Sequence, residues 1–250
     1  MIRSYEGSSL NTRVEDEGRA AAFEAAYAWI EPVGGWLTRD QARVLFEAVR
    51  ALPHNSTVVE VGSHQGRSTL ALALARPDVT VVAIDPFEAG GRFGGPATRQ
   101  VFEDNLSRPR VRGRVEHLAL RSTQVLDAWD RPVHLVFVDG KHDVLSTLRD
   151  LQWGDRLPPG GRLLVHDGFS SIGVTLALLL HALPSPNLRY AGRVGSLAMF
   201  VRARPSGQDR LAVLAELPWF ARNVGIKVLL RLRLRPIARL AGHHDRADPY

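Results

Sequence analysis

The chain has 250 residues, 45% of them hydrophobic and 23% charged, which suits one α/β domain with an appendage and excludes disordered or fibrous architectures. It contains no cysteine, which removes disulfides, thiolate metal sites and cysteine nucleophiles together. The formal charge of +6 is uneven, because residues 203–250 carry nine basic and four acidic side chains while the rest is near neutral. A nucleic-acid protein more often spreads its basic residues over a folded face, so no nucleic-acid partner is expected. No apolar run approaches the roughly 18–20 residues that span a bilayer, and the first residues lack an apolar signal core; the expected location is the cytoplasm.

In chain order, residues 20–30 and 39–52 read as two helices. Residues 57–61 (TVVEV) and 80–84 (TVVAI) are short, β-branched and apolar, as strands buried on both faces of a parallel sheet are. Residues 134–138 and 162–165 follow the same pattern, and 114–118 is a weaker strand. Helix-compatible stretches at 68–76, 98–106 and 144–153 lie between them, closed by Pro or Gly. An apolar helix at 171–183 precedes two last strands, 188–191 and 196–202, which form a β-hairpin. The expectation is a doubly wound, Rossmann-like α/β sheet of seven strands, mostly parallel with a C-terminal antiparallel hairpin. Three segments follow: a helical one at 1–53, a ligand-binding domain at 54–204 and a basic extension at 205–250.

The loop after the first strand reads Glu60-Val-Gly62-Ser63-His64-Gln65-Gly66-Arg67-Ser68. Gly62 allows a tight turn and Gly66 a close approach of the next helix to a ligand. His64 stands where a dinucleotide fingerprint has its second glycine, and Glu60 suits a positively charged ligand better than a diphosphate. The second strand ends in Asp85, an acid placed to accept hydrogen bonds from ribose hydroxyls; the alternative is a turn or capping aspartate. Ser122 and Thr123 follow the third strand, placed to meet an adenine edge. The glycine-rich segment 88–99 is a candidate lid, with Phe87 or Phe93 able to cover the ligand.

The fourth strand ends in Asp139-Gly140-Lys141-His142 and the fifth in His166-Asp167-Gly168. Adjacent parallel strands present their carboxyl ends to one crevice, where open α/β sheets bind ligands. Two carboxylates and an imidazole there form a divalent-cation site whose oxygen donors favour Mg²⁺ or Mn²⁺. Each aspartate could otherwise cap the helix that follows it.

The series Glu60-x-Gly62-x-x-x-Gly66-x-Ser68, then Asp85, then Asp139, resembles the class I S-adenosylmethionine methyltransferases. More closely it resembles the metal-dependent O-methyltransferases, both the catechol type and the methyltransferase-24 group that includes macrolide-sugar enzymes, over roughly residues 35–202. The resemblance implies S-adenosylmethionine as cofactor. Glu60, Gly62, Ser63, His64, Gly66 and Ser68 would lie at its methionine end, Asp85 at the ribose and Ser122 at the adenine. It also implies a cation held by Asp139, His166 and Asp167, with His142 as the general base at the offset where the catechol type carries a lysine. A sugar hydroxyl has a pKa far above 7, so such a transfer needs a base, a metal, or both.

Residues 219–239 hold six basic and no acidic side chains among Trp, Phe, Leu, Val and Ile. That pattern suits an amphipathic helix lying on an anionic membrane, packed on a partner subunit in a homo-oligomer, or docked on its own domain. RLRLR also fits a strand. The leading expectation is an S-adenosylmethionine-dependent O-methyltransferase acting on a hydroxyl of a sugar, glycolipid or sugar-bearing natural product. The alternatives are an NAD(P)-dependent oxidoreductase and a non-catalytic membrane-docking protein.

Overall fold

A computed structural model describes residues 6–89, 94–109 and 111–243, with residues 6–16 as helical backbone only. Five parallel strands form in sequence: β1 (Thr57–Val61), β2 (Thr80–Ile84), β3 (Val115–Leu118), β4 (Leu135–Val138) and β5 (Arg162–Val165). The hairpin β6 (Leu188–Val194) and β7 (Leu197–Arg202) closes the sheet, whose order is β3-β2-β1-β4-β5-β7-β6. β7 runs antiparallel to both β5 and β6. The expected seven-stranded doubly wound sheet is therefore the observed one.

Helices α1 (Glu6–Ile30), α2 (Arg39–Arg50), α3 (Arg67–Ala73) and α4 (Pro96–Ser107) precede or alternate with the first strands. α5 (Ser122–Asp127), α6 (Val144–Leu151) and α7 (Ile172–His181) follow β3, β4 and β5. Alternation along each strand divides the core in two. Val58, Val81, Ala83 and Phe137 pack with Phe23, Ile30, Leu45 and Phe46 of α1 and α2. Val59, Val82, Val136 and Val138 pack with Leu126, Trp153 and Leu178 on the other face. The N-terminal helices are thus part of the sheet's own core.

The strand order reverses between β2-β1 and β1-β4, which is where open α/β sheets leave a crevice. Register fixes what lines it. Val61 pairs with both Ile84 and Val138, and Val138 pairs with Val165. The next residues along are Gly62, Asp85, Asp139 and His166, so these four stand in one row at the carboxyl edge.

Some local expectations are corrected. α1 begins at Glu6 rather than near residue 20, and α5 was not expected. The basic extension forms α8 (Gly207–Leu214), α9 (Leu217–Arg231) and α10 (Arg235–Leu240), and RLRLR is the end of α9 and its turn into α10, not a strand. Within the candidate lid, Pro96 already starts α4, and Phe87 is buried against Phe102 and His117 rather than lying over the crevice. Phe93 lies outside the described residues.

Candidate functional site at the carboxyl edge

The loop after β1 is held from three sides. Asp85 Oδ2 accepts hydrogen bonds from the Ser63 and His64 amides at 3.0 and 2.9 Å, while Oδ1 accepts one from Phe87 N. Asp85 therefore braces the loop; Oδ2 already accepts two bonds, and Oδ1, with one, keeps lone-pair capacity. Asn105 of α4 donates to the Gln65 carbonyl. Arg67 donates to the carbonyls of Glu31, Val33 and Leu37, which straps the α1–α2 connection to the loop. This brings the half-exposed Trp36 ring to 5.6 Å from His64.

Glu60 faces the α2–α3 side of the sheet with Val58, so a carboxyl group lies in an apolar layer and is fully buried. Oε2 accepts from Ser63 Oγ at 2.9 Å and Thr69 Oγ1 at 2.5 Å. Burial pushes its pKa up to about 7, and the hydroxyls of Ser68, Thr69 and Ser63 only partly offset that. The protonated form is favoured by folding. Its stabilisation is complete below the ordinary value of 4.5 and is lost as pH rises through about 7. Glu60→Gln should therefore flatten the fall in unfolding free energy between these limits, a change on the order of 3 kcal/mol. Urea melts across that range would show it, and an unchanged slope would mean Glu60 stays ionised.

The second half of the site sits at the tips of β4 and β5. His142 stands between two carboxylates, with Nε2 3.4 Å from Asp139 Oδ1 and Nδ1 3.4 Å from Asp167 Oδ2. His166 Nδ1 lies 3.3 Å from Asp139 Oδ1 and 3.8 Å from Asp167 Oδ1. The four predicted residues are brought together. Asp139 is held well below the usual carboxylate range: burial opposes ionisation, but His166 and His142 outweigh it. His142 is raised, chiefly by its contact with Asp139. For His166 burial works downward, yet Asp139 and Asp167 together push it up to about 9.

Gln41, on α2, determines which proton His166 carries. Its Oε1 accepts from the Thr38 amide at 3.0 Å, and its Nε2 donates to Ser196 Oγ and the Val194 carbonyl. An amide so fixed presents an acceptor to His166 Nε2, 3.2 Å away, so Nε2 carries hydrogen. Nδ1, buried and without a hydrogen bond, then faces two carboxylates. A lone pair there is tolerable only if it binds a proton or a cation. Asp139, Asp167 and that lone pair are the donors that could hold a divalent cation, although among the described residues no three such side chains already converge on one cation position. Gln41→Leu should weaken Mn²⁺ binding about 10–100-fold, the usual effect of removing an outer partner of a ligand histidine. Electron paramagnetic resonance titration would measure it, and unchanged affinity would detach Gln41 from the site.

Backbone strain collects here. Of the non-glycine residues with positive φ, His64 (47°), Phe87 (46°), Asp167 (55°) and Phe169 (58°) all follow strand tips. The turn after β5 is pinned from the extension, where Asn223 Nδ2 donates to the Phe169 carbonyl and Lys227 Nζ to that of Ser170. Ser122 does not point freely at the crevice, because its hydroxyl donates to the buried Asp150 carboxylate. Lys141 pairs with Glu88, which also holds Arg121.

Four supporting residues were not anticipated: Trp36, Gln41, Arg67 and Asp150. Only Gln41 had a local signal, since Thr38-Arg-Asp-Gln41 is a capping box. The others act through contacts made only by the fold.

Residues 59–168 match the methyltransferase domain family Methyltransf_24. A ribosomal RNA small subunit methyltransferase G from Salinispora arenicola is 35% identical over 127 residues, 50% of each chain. The chain thus spans half the length of that relative. Among solved structures, the fold is similar to SAH-bound methyltransferase PaMTH1 from Podospora anserina, with a TM-score of 0.58, 15% identity, and 82% and 98% of the two chains covered. It is also similar to an O-methyltransferase from Bacillus cereus in complex with SAH, with a TM-score of 0.53, 20% identity, and 72% and 90% covered. Strand order, crevice and family match agree: residues 59–168 match a methyltransferase domain model and carry the part of the sheet in which its crevice lies.

Proposed function

We propose that the chain is an S-adenosylmethionine-dependent O-methyltransferase, assisted by a divalent cation, acting on a hydroxyl of a sugar, glycolipid or sugar-bearing natural product. The observation that carries this is the gathering of Asp139, His142, His166 and Asp167 at the edge of β4 and β5, beside the loop of residues 62–66. S-adenosylmethionine supplies the activated methyl group, and a cation held by Asp139, His166 and Asp167 supplies positive charge for the acceptor oxygen. The loop and Asp85 orient the nucleoside and methionine ends, and transfer is an in-line displacement that depends on positioning. His142 takes the hydroxyl proton once its imidazole is neutral, and Asp139 and Asp167 aim the ring.

A second reading, methylation of ribosomal RNA, is favoured by the name of the Salinispora relative. Were the acceptor a ring nitrogen of a base, its lone pair would attack without first losing a hydroxyl proton, and the carboxylate–imidazole cluster would have no task. The oxidoreductase alternative lacks the second glycine of its fingerprint, where His64 stands.

Calorimetric titration with S-adenosylhomocysteine and NADH, followed by transfer of labelled methyl to sugar-bearing acceptors or to ribosomal RNA, separates these readings. Binding of the homocysteine product with labelling of a hydroxyl is expected. Labelling of RNA alone would overturn the acceptor class, and NADH binding alone would overturn the whole reading.

A further inference from the structure

The C-terminal extension ends in a surface that the site does not use. α9 fastens to the domain through Asn223 and Ile226, both buried, and through Lys227. α10 folds back on α9, burying Ala238 and His243, and Arg222 donates to the carbonyls of Ala241 and Gly242. This packing leaves every residue from Arg231 to Ile237 exposed. Val228, Leu232, Leu234, Ile237 and Leu240 stand in water, Leu240 at 89% exposure, interleaved with the exposed Arg231, Arg233, Arg235 and Arg239. No acidic residue occurs between Glu216 and Asp245.

We propose that this Leu/Arg surface, residues 228–240, docks the protein on an anionic lipid bilayer. Aliphatic side chains that enter the acyl boundary, beside arginines that meet lipid phosphates, supply the two signals that stable peripheral binding requires. Charge complementarity selects this occupant. A second copy related by a two-fold axis would set the arginine-rich patch against itself. RNA surfaces interleave their arginines with aromatic rings that stack on bases, whereas the side chains between these arginines are aliphatic. The nearby Trp219 is already covered by the Arg193 guanidinium, 3.7 Å from its ring. Among the described residues no helix is long and apolar enough to cross a membrane.

The test uses the full chain and vesicles of phosphatidylcholine with or without phosphatidylglycerol. Co-sedimentation with the anionic vesicles is expected, weakened at least about tenfold by Arg233→Glu with Arg235→Glu and by high salt. Leu234→Asp with Ile237→Asp should also abolish it. These positions are exposed, so thermal melting of the variants should match wild type. Tryptophan fluorescence of Leu234→Trp should shift to the blue on anionic vesicles only. Failure to sediment with anionic vesicles at low salt overturns the proposal. So does a lipid-free dimer that Leu234→Asp with Ile237→Asp dissociates, or binding to single-stranded RNA without binding to vesicles.

Discussion

Asp139→Ala is expected to abolish both turnover and its dependence on a divalent cation. Asp139 Oδ1 lies 3.4 Å from His142 and 3.3 Å from His166, so its loss would remove a proposed ligand and an orienting partner in one change. The fall should be about 10³-fold or more in single-turnover methyl transfer, since cation stabilisation of the acceptor oxygen contributes several kcal/mol. Folding should survive, because the Asp139 backbone bond to Val61 remains and His166 keeps its bond to Gln41. Wild-type activity undiminished by exhaustive chelation would leave Asp139 as an aligner of His142 and remove the cation from the reaction.

His142→Ala should slow methyl transfer by about 10²–10⁴-fold while cofactor affinity stays within about threefold, since a positioned base contributes on that scale and the ring need not touch the nucleotide. The wild-type rate should fall toward acid pH, because the protonated imidazole cannot accept the hydroxyl proton. Without a cation, Asp139 and Asp167 favour the imidazolium and raise His142 above the ordinary histidine value of 6.5; a cation bound by the same carboxylates would move that limb back down. Rapid-quench rates across pH on both proteins would decide it. A variant within about threefold of wild type would pass the base role to Asp139.

The sheet and the row of residues at its edge were legible because β1, β2, β4 and β5 are buried on both faces and read as short, mainly apolar runs. Once those strands are adjacent, register alone brings Gly62, Asp85, Asp139 and His166 level. What sequence could not supply were contacts between distant segments: Gln41 meets His166 across 125 positions, and Arg67 straps a connection 30 to 36 residues earlier. Phe87 misled because an aromatic beside a glycine-rich segment suggests a cover, whereas its left-handed backbone turns the ring into the core. RLRLR alternates like a strand, but the chain leads it from one helix into another, away from the sheet edge.

The turn at Gly62 touches the tip of β4. The φ of Gly62 is 86°, and a Cβ there would overlap the carbonyl oxygen of Asp139, so the loop after β1 and the loop after β4 meet backbone to backbone. Neither strand tip can shift without displacing the other. If occupancy of one loop changes the free energy of filling its neighbour, that coupling is reciprocal. A cation that raises cofactor affinity about tenfold would be held more tightly by the same factor once the cofactor is bound. The order in which the two arrive would then not matter to the affinity of the ternary complex, only to the path by which it forms.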